Sequence, residues 1–102
     1  MNYLGNAFSL QMINLEEEIK FRVVPCNAME VPADAVSCIG HVDTAAVVSS
    51  ILGIEISANR ISIKLAPGDV LYVAQLTGGR LPEGSIELPD GFSLQFVKVE
   101  LK

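Results

Sequence analysis

The chain has 102 residues, half of them hydrophobic and only 19% charged, with a net charge of −5. That length suits one domain, and the composition supplies enough apolar material for a core and too little charge for a disordered chain. Seven basic residues against twelve acidic ones exclude a long phosphate-neutralising stripe, and with it generic DNA or RNA coating, but leave room for one compact anion pocket.

No apolar run reaches the roughly 18 residues that span a bilayer. The start of the chain lacks a basic segment followed by an apolar stretch and a small-residue cleavage site, so the expectation is a cytoplasmic protein with no membrane contact. Cys26 and Cys38 are the only cysteines; without a secretion signal they are expected as two reduced, buried thiols rather than a disulfide. One histidine and two separated cysteines do not make a tetrahedral zinc set.

Along the chain, NYLGNAFSL (2–10) reads as a short strand entering a turn, with Gly5, Asn6 and Ser9 as turn or cap formers. QMINLEEEI (11–19) is ambiguous: Leu15 and Ile19 share a helical face, while Glu16, Glu17 and Glu18 form a solvated edge. FRVVPC (21–26) is β-branched and strand-like, with Pro25 restricting it within a sheet. NAMEVPADAVSC (27–38) mixes loop residues with a short helix from Ala33, Pro32 lying near its first turn.

The firmest helix is DTAAVVSSILG (43–53), capped by Asp43 or Thr44 and stopped by Gly53, with Val47, Val48, Ile51 and Leu52 at helical spacing. RISIKL (60–65) alternates Ile61, Ile63 and Leu65 with Arg60, Ser62 and Lys64, the pattern of a half-buried strand. Across the turn PGD (67–69) it is expected to form a hairpin with the more deeply buried VLYVAQL (70–76). TGGRLPEG (77–84) is a glycine-rich loop, PDG (89–91) a second turn, and FSLQFVKVEL (92–101) a closing strand. The expected fold is α/β (α+β): a single domain over 1–102 with a mixed sheet of about five strands flanked by helices.

Two places can carry chemistry. His41 precedes the helix, where free backbone N–H groups and the positive dipole end favour an anion and Gly40 admits a close approach. A histidine there can exchange a proton near neutral pH, or it can cap the preceding turn or simply be exposed. In GGRLPEG (78–84), Arg80 offers a bidentate phosphate contact and Glu83 can orient it or act on a hydroxyl; the alternative is an exposed hairpin loop with a surface ion pair of little value. Gln75, inside an apolar strand, reads as a buried amide that needs partners. Arg60 and Lys64 on a polar strand face serve solubility.

Taken together, YLGNAFSLQMI, IGHVDTAAVVSSILG, NRISIKL, DVLYVAQL and GRLPEG occur in an order that resembles the viral anti-CRISPR ring nucleases directed against type III systems, which have bacterial and phage relatives. The resemblance spans roughly residues 2–84. It implies a homodimer that binds cyclic tetra-adenylate across its interface. It also implies cleavage without a metal or other cofactor, by attack of a ribose 2′-hydroxyl, to linear di-adenylates with 2′,3′-cyclic phosphate ends. The immune second messenger is thereby removed.

By position the resemblance makes His41 the general acid, Arg80 the phosphate-stabilising cation and Glu83 the residue positioning Arg80 or the nucleophile. Asn6, Ser9, Thr44, Arg60 and Gln75 match ligand-proximal positions, beside Gly40. Gln11 stands where the family pattern has asparagine. Two rival readings remain: a protein that sequesters a cyclic oligonucleotide without turning it over, and a small structural or regulatory dimer. Recognition of duplex DNA is disfavoured by the negative charge.

Overall fold

In this computed structural model, which describes residues 1–102, the chain builds one five-stranded sheet. The strands are β1 (Asn2–Gly5), β2 (Phe21–Cys26), β3 (Val36–Ser37), β4 (Val70–Thr77) and β5 (Ser93–Leu101), and the single α-helix is α1 (Val42–Leu52). Their order is β2-β5-β4-β1-β3. β4 and β5 form an antiparallel hairpin from Val70↔Glu100 to Thr77↔Ser93, β2 adds antiparallel to β5, and β1 pairs parallel with both β4 and β3. Pro25, without an N–H, lies in β2 at the sheet edge, where the missing donor costs no ladder bond.

β4 is the central strand and is apolar on both faces because both faces are covered. On one face Ala74 packs with Leu4, Ile39, Ala45, Val48 and Phe96, which seats α1 on the sheet. On the other, Leu71 and Val73 pack with Ile13, Ile63, Leu65 and Val99. No helix of the chain is long and apolar enough to cross a membrane.

α1 begins at Val42 with His41 as its N-cap residue, and the His41 side chain makes no capping hydrogen bond. Neither Asp43 nor Thr44 is the cap; both lie inside the first turn. Gly53 ends the helix as expected, its N–H donating to the Ser49 carbonyl at 2.9 Å. There is no helix from Ala33. The weaker helical signals resolve instead into two 3-10 turns, Leu10–Met12 capped by Ser9 and Ala28–Glu30 capped by Asn27.

The expected RISIKL strand does not form. Residues 60–65 lie outside the sheet, and of the expected buried face Ile61, Ile63 and Leu65 only Ile63 and Leu65 are buried, Ile61 being 45% exposed because no neighbouring strand covers it. The hairpin partner of β4 is β5, and the strand that completes the five is the short β3. The cause lies upstream: the chain leaves α1 on one face, with Ile56 against the helix-side core, and reaches Ile63 on the other. In between it crosses beside β3, where Ser37 Oγ donates to the Ser57 carbonyl at 2.7 Å and Asn59 Nδ2 donates to the Ser37 carbonyl at 2.8 Å. A segment committed to rounding that edge reaches the far core as a strap, held by the Leu65 N–H on the Met12 carbonyl at 2.7 Å.

Leu71 is fully buried at the centre, so Leu71→Ala is expected to lose roughly 2–5 kcal/mol in urea unfolding. Gly78, at the root of the loop between β4 and β5, has φ 118°, and an added Cβ would lie 2.8 Å from both the Gly91 carbonyl oxygen and Phe92 Cα. Gly78→Ala therefore meets backbone it cannot displace and is expected to cost about 1–3 kcal/mol, read as a lowered Tm. Asp69 Oδ2 accepts the Ala66 N–H at 2.9 Å and Oδ1 accepts the Met1 amino group at 3.0 Å; these bonds hold its carboxyl below the ordinary carboxylate range. A depressed folded-state pKa stabilises above the unfolded value and is lost as pH falls through the folded one. Asp69→Ala is thus expected to cost about 1 kcal/mol at pH 7, with the gap to wild type closing below pH ~4 in urea titrations at both pH values.

Candidate functional site

The parallel strands β1, β3 and β4 all run out at the same end of the sheet, the usual place for a ligand crevice in such sheets. β3 leads through Cys38, Ile39 and Gly40 into His41 and α1, and β4 leads through Thr77 into the loop 78–92. An open cavity of about 510 Å³ lies between them, lined by His41, Asp43, Thr44, Leu76, Arg80, Leu81 and Glu83. The two stretches singled out by their chemistry, 39 residues apart at His41 and Arg80, thus face one space.

Each side chain has a local reason for its place. The Cys38 N–H donates to the Leu4 carbonyl at 2.8 Å and the Asn59 N–H to the Ile39 carbonyl at 2.7 Å, which fixes the approach to His41 from both sides. His41 is exposed at the helix start, beside the unpaired N–H groups of the first turn. Leu76 alternates onto the α1 face of β4 and supplies an apolar wall, with Leu81 from the loop. Glu83 sits in a tight turn in which the Ser85 N–H and Oγ both donate to the Pro82 carbonyl, at 3.2 and 2.6 Å. Gly84 follows at φ 80°, the third turn position that demands a positive φ.

Arg80 is exposed and belongs to none of the chain's three ion pairs, so its guanidinium is open to an anion; it does not pair with Glu83 here. The cavity carries one guanidinium, one imidazole and two carboxylates. No three His, Cys, Asp or Glu side chains gather as a metal set. The cysteines are free and half-buried rather than buried. Burial pushes both thiols up, with Glu30 adding to the effect at Cys26, and Cys38 Sγ donates to the Leu4 carbonyl at 3.4 Å, so neither is an activated nucleophile.

The other expected contact residues stand elsewhere. Thr44 lines the cavity; Gly40, Asn6, Ser9, Gln11, Arg60 and Gln75 do not. Arg60 lies along Gly40, its Nε 3.5 Å from where a Cβ would be, so it borders the approach to His41 without facing the cavity. Ser9 Oγ accepts the Gln11 N–H at 3.2 Å, and the Gln11 carbonyl accepts Lys64 Nζ at 2.6 Å. Gln75 is exposed, not buried: it pairs across the hairpin with Gln95 on the face of Leu71 and Val73, opposite to α1. Asp43, Leu76 and Leu81 are the site residues the sequence reading passed over. Asp43 reads from the sequence as a helix cap, and its place in the cavity depends on a bond to the Gly84 N–H, 41 residues on, that the sequence does not show.

Comparison with known proteins gives two positive findings. The structure is similar to B116 of Sulfolobus turreted icosahedral virus, with a TM-score of 0.69 over 97% of each chain at 22% identity, a likeness that shows the fold. No curated protein matches the chain. With residues 2–94 matched by its family model, the chain belongs to the STIV B116-like family.

Proposed function

We propose that the chain is a metal-independent ring nuclease that acts as a homodimer and cleaves cyclic tetra-adenylate to linear di-adenylates with 2′,3′-cyclic phosphate ends, ending type III CRISPR signalling. The observation that carries this reading is the convergence of His41, Arg80 and Glu83 on one open cavity at the N-terminus of α1. It is supported by the sequence resemblance to the anti-CRISPR ring nucleases and by membership of a family that includes a viral fold relative.

In the proposed reaction, the 2′-hydroxyl of one ribose attacks the adjacent phosphorus. The O2′–P bond forms as the P–O5′ bond breaks. Glu83 accepts a hydrogen bond from the attacking hydroxyl, whose proton passes to water, and His41 as imidazolium gives its proton to the departing 5′-oxygen. Arg80 donates to the non-bridging phosphate oxygens as charge builds, aided by the N–H groups of the first turn of α1. Leu76 and Leu81 offer apolar surface to an adenine face. A ring with two-fold symmetry meets two copies of this set in a dimer, which also doubles the cationic groups around its phosphates.

Incubation with cyclic tetra-adenylate in EDTA, followed by product analysis, tests the reading. His41→Ala is expected to lower the single-turnover rate by about 10²–10⁴ while leaving Kd within a few-fold, since general acid catalysis acts in the transition state. An unchanged rate removes His41 from the mechanism. Binding that saturates at one ring per dimer with no product under multiple-turnover conditions replaces the enzyme with a sequestering protein.

A further inference from the structure

Asp43 lines the cavity and its carboxylate has one hydrogen-bond partner: Oδ2 accepts the Gly84 N–H at 3.2 Å, across 41 residues of sequence. The carboxylate is not occupied by α1. The N-cap residue is His41, no side chain caps the helix, and Asp43 sits in the first turn, where its charge suits the dipole. The donating turn is itself closed by the two Ser85 bonds to the Pro82 carbonyl. Glu83 and Gly84 are its central residues, so the peptide linking them is the group that Asp43 holds. A second bond joins the same helix to the same loop, from Ser50 Oγ to the Ile86 carbonyl at 2.7 Å, two turns further along α1. Ser50 fixes where the loop lies along the helix, and Asp43 fixes the end that carries Glu83 and, three residues earlier, Arg80.

We infer that Asp43 is a positioning residue that joins the helix bearing His41 to the turn bearing Glu83, holding Arg80 and Glu83 in register with the imidazole. The inference rests on the ring-nuclease reading for its catalytic consequence, but the latch itself is a property of the free protein. Its requirement is an acceptor oxygen at this position rather than a negative charge. Asp43 does not touch the reacting atoms in this scheme; it acts through the Gly84 amide. Misplacement of a catalytic group by about 1 Å can cost 10²-fold in rate.

The test compares Asp43→Ala and Asp43→Asn with wild type in two measurements. In amide hydrogen exchange on the free protein, Gly84 is expected to exchange at least several-fold faster in Asp43→Ala and near the wild-type rate in Asp43→Asn, whose amide oxygen still accepts. In single-turnover cleavage of cyclic tetra-adenylate, Asp43→Ala is expected to fall about 10–10²-fold with Kd within three-fold, and Asp43→Asn to recover most of the rate. Equal Gly84 exchange in all three proteins overturns the latch whatever the substrate. Cleavage by Asp43→Asn as poor as by Asp43→Ala overturns the acceptor role in favour of charge. A wild-type protein that leaves the ring intact sinks the ring-nuclease reading, and the exchange measurement then decides the latch alone.

Discussion

The position of the catalytic candidate depends on how residues 37–40 are held. Their backbone is gripped by β1 on one side, through Leu4, and by Asn59 on the other, through both its main-chain N–H and its side-chain amide. Four residues with that many fixed polar groups have little freedom left, so the first residue of α1 and the histidine before it stand at a set distance from the sheet. Buried backbone groups must be paired, and here the pairing of the lead-in doubles as the mount of the site. Asn59 thereby does what an additional strand would have done.

Around that mount the polar and apolar parts divide by face. The α1 side of the sheet carries Leu76 and the cavity, while the opposite side carries Gln75 and Gln95 in the open. The cavity is balanced in charge type rather than strongly cationic; under the proposed reading, attraction for an anion would come from a few oriented donors, the guanidinium of Arg80 and the helix start among them. Two carboxylates share that space: Asp43 accepts a loop N–H, and Glu83 lines the cavity beside it.

Much of this arrangement is legible in the sequence because local patterns and tertiary demands coincide. The 43–53 periodicity, the Gly53 stop, the strand at 70–76 with Leu71, Val73 and Ala74 buried, and the alternation near the chain end all correspond to observed elements. The 60–65 stretch shows where they part company. Alternation reports that every second side chain seeks burial, which Ile63 and Leu65 find and Ile61 does not, and it is blind to whether the backbone has a ladder partner. Gln75 misled for a related reason: an apolar run does not reveal that one face of the sheet opens near its end. That His41, Arg80 and Glu83 line one cavity cannot be read from spacing, because 39 residues separate His41 from Arg80 and only the fold closes that gap. Asp43 was missed because its partner is a main-chain N–H, which leaves no mark in the side-chain sequence.

The parallel pairing of β1 with β4 joins Asn2 to Val70 and Gly5 to Val73. During synthesis the opening strand must wait, without its central neighbour, until about two thirds of the chain has been made, and loop closure over that span is slow compared with forming a local turn. The antiparallel hairpin that completes the sheet comes later still. Until β4 is made, β1 has only the two-residue β3 to pair with, so completion of the sheet waits on the second half of the chain.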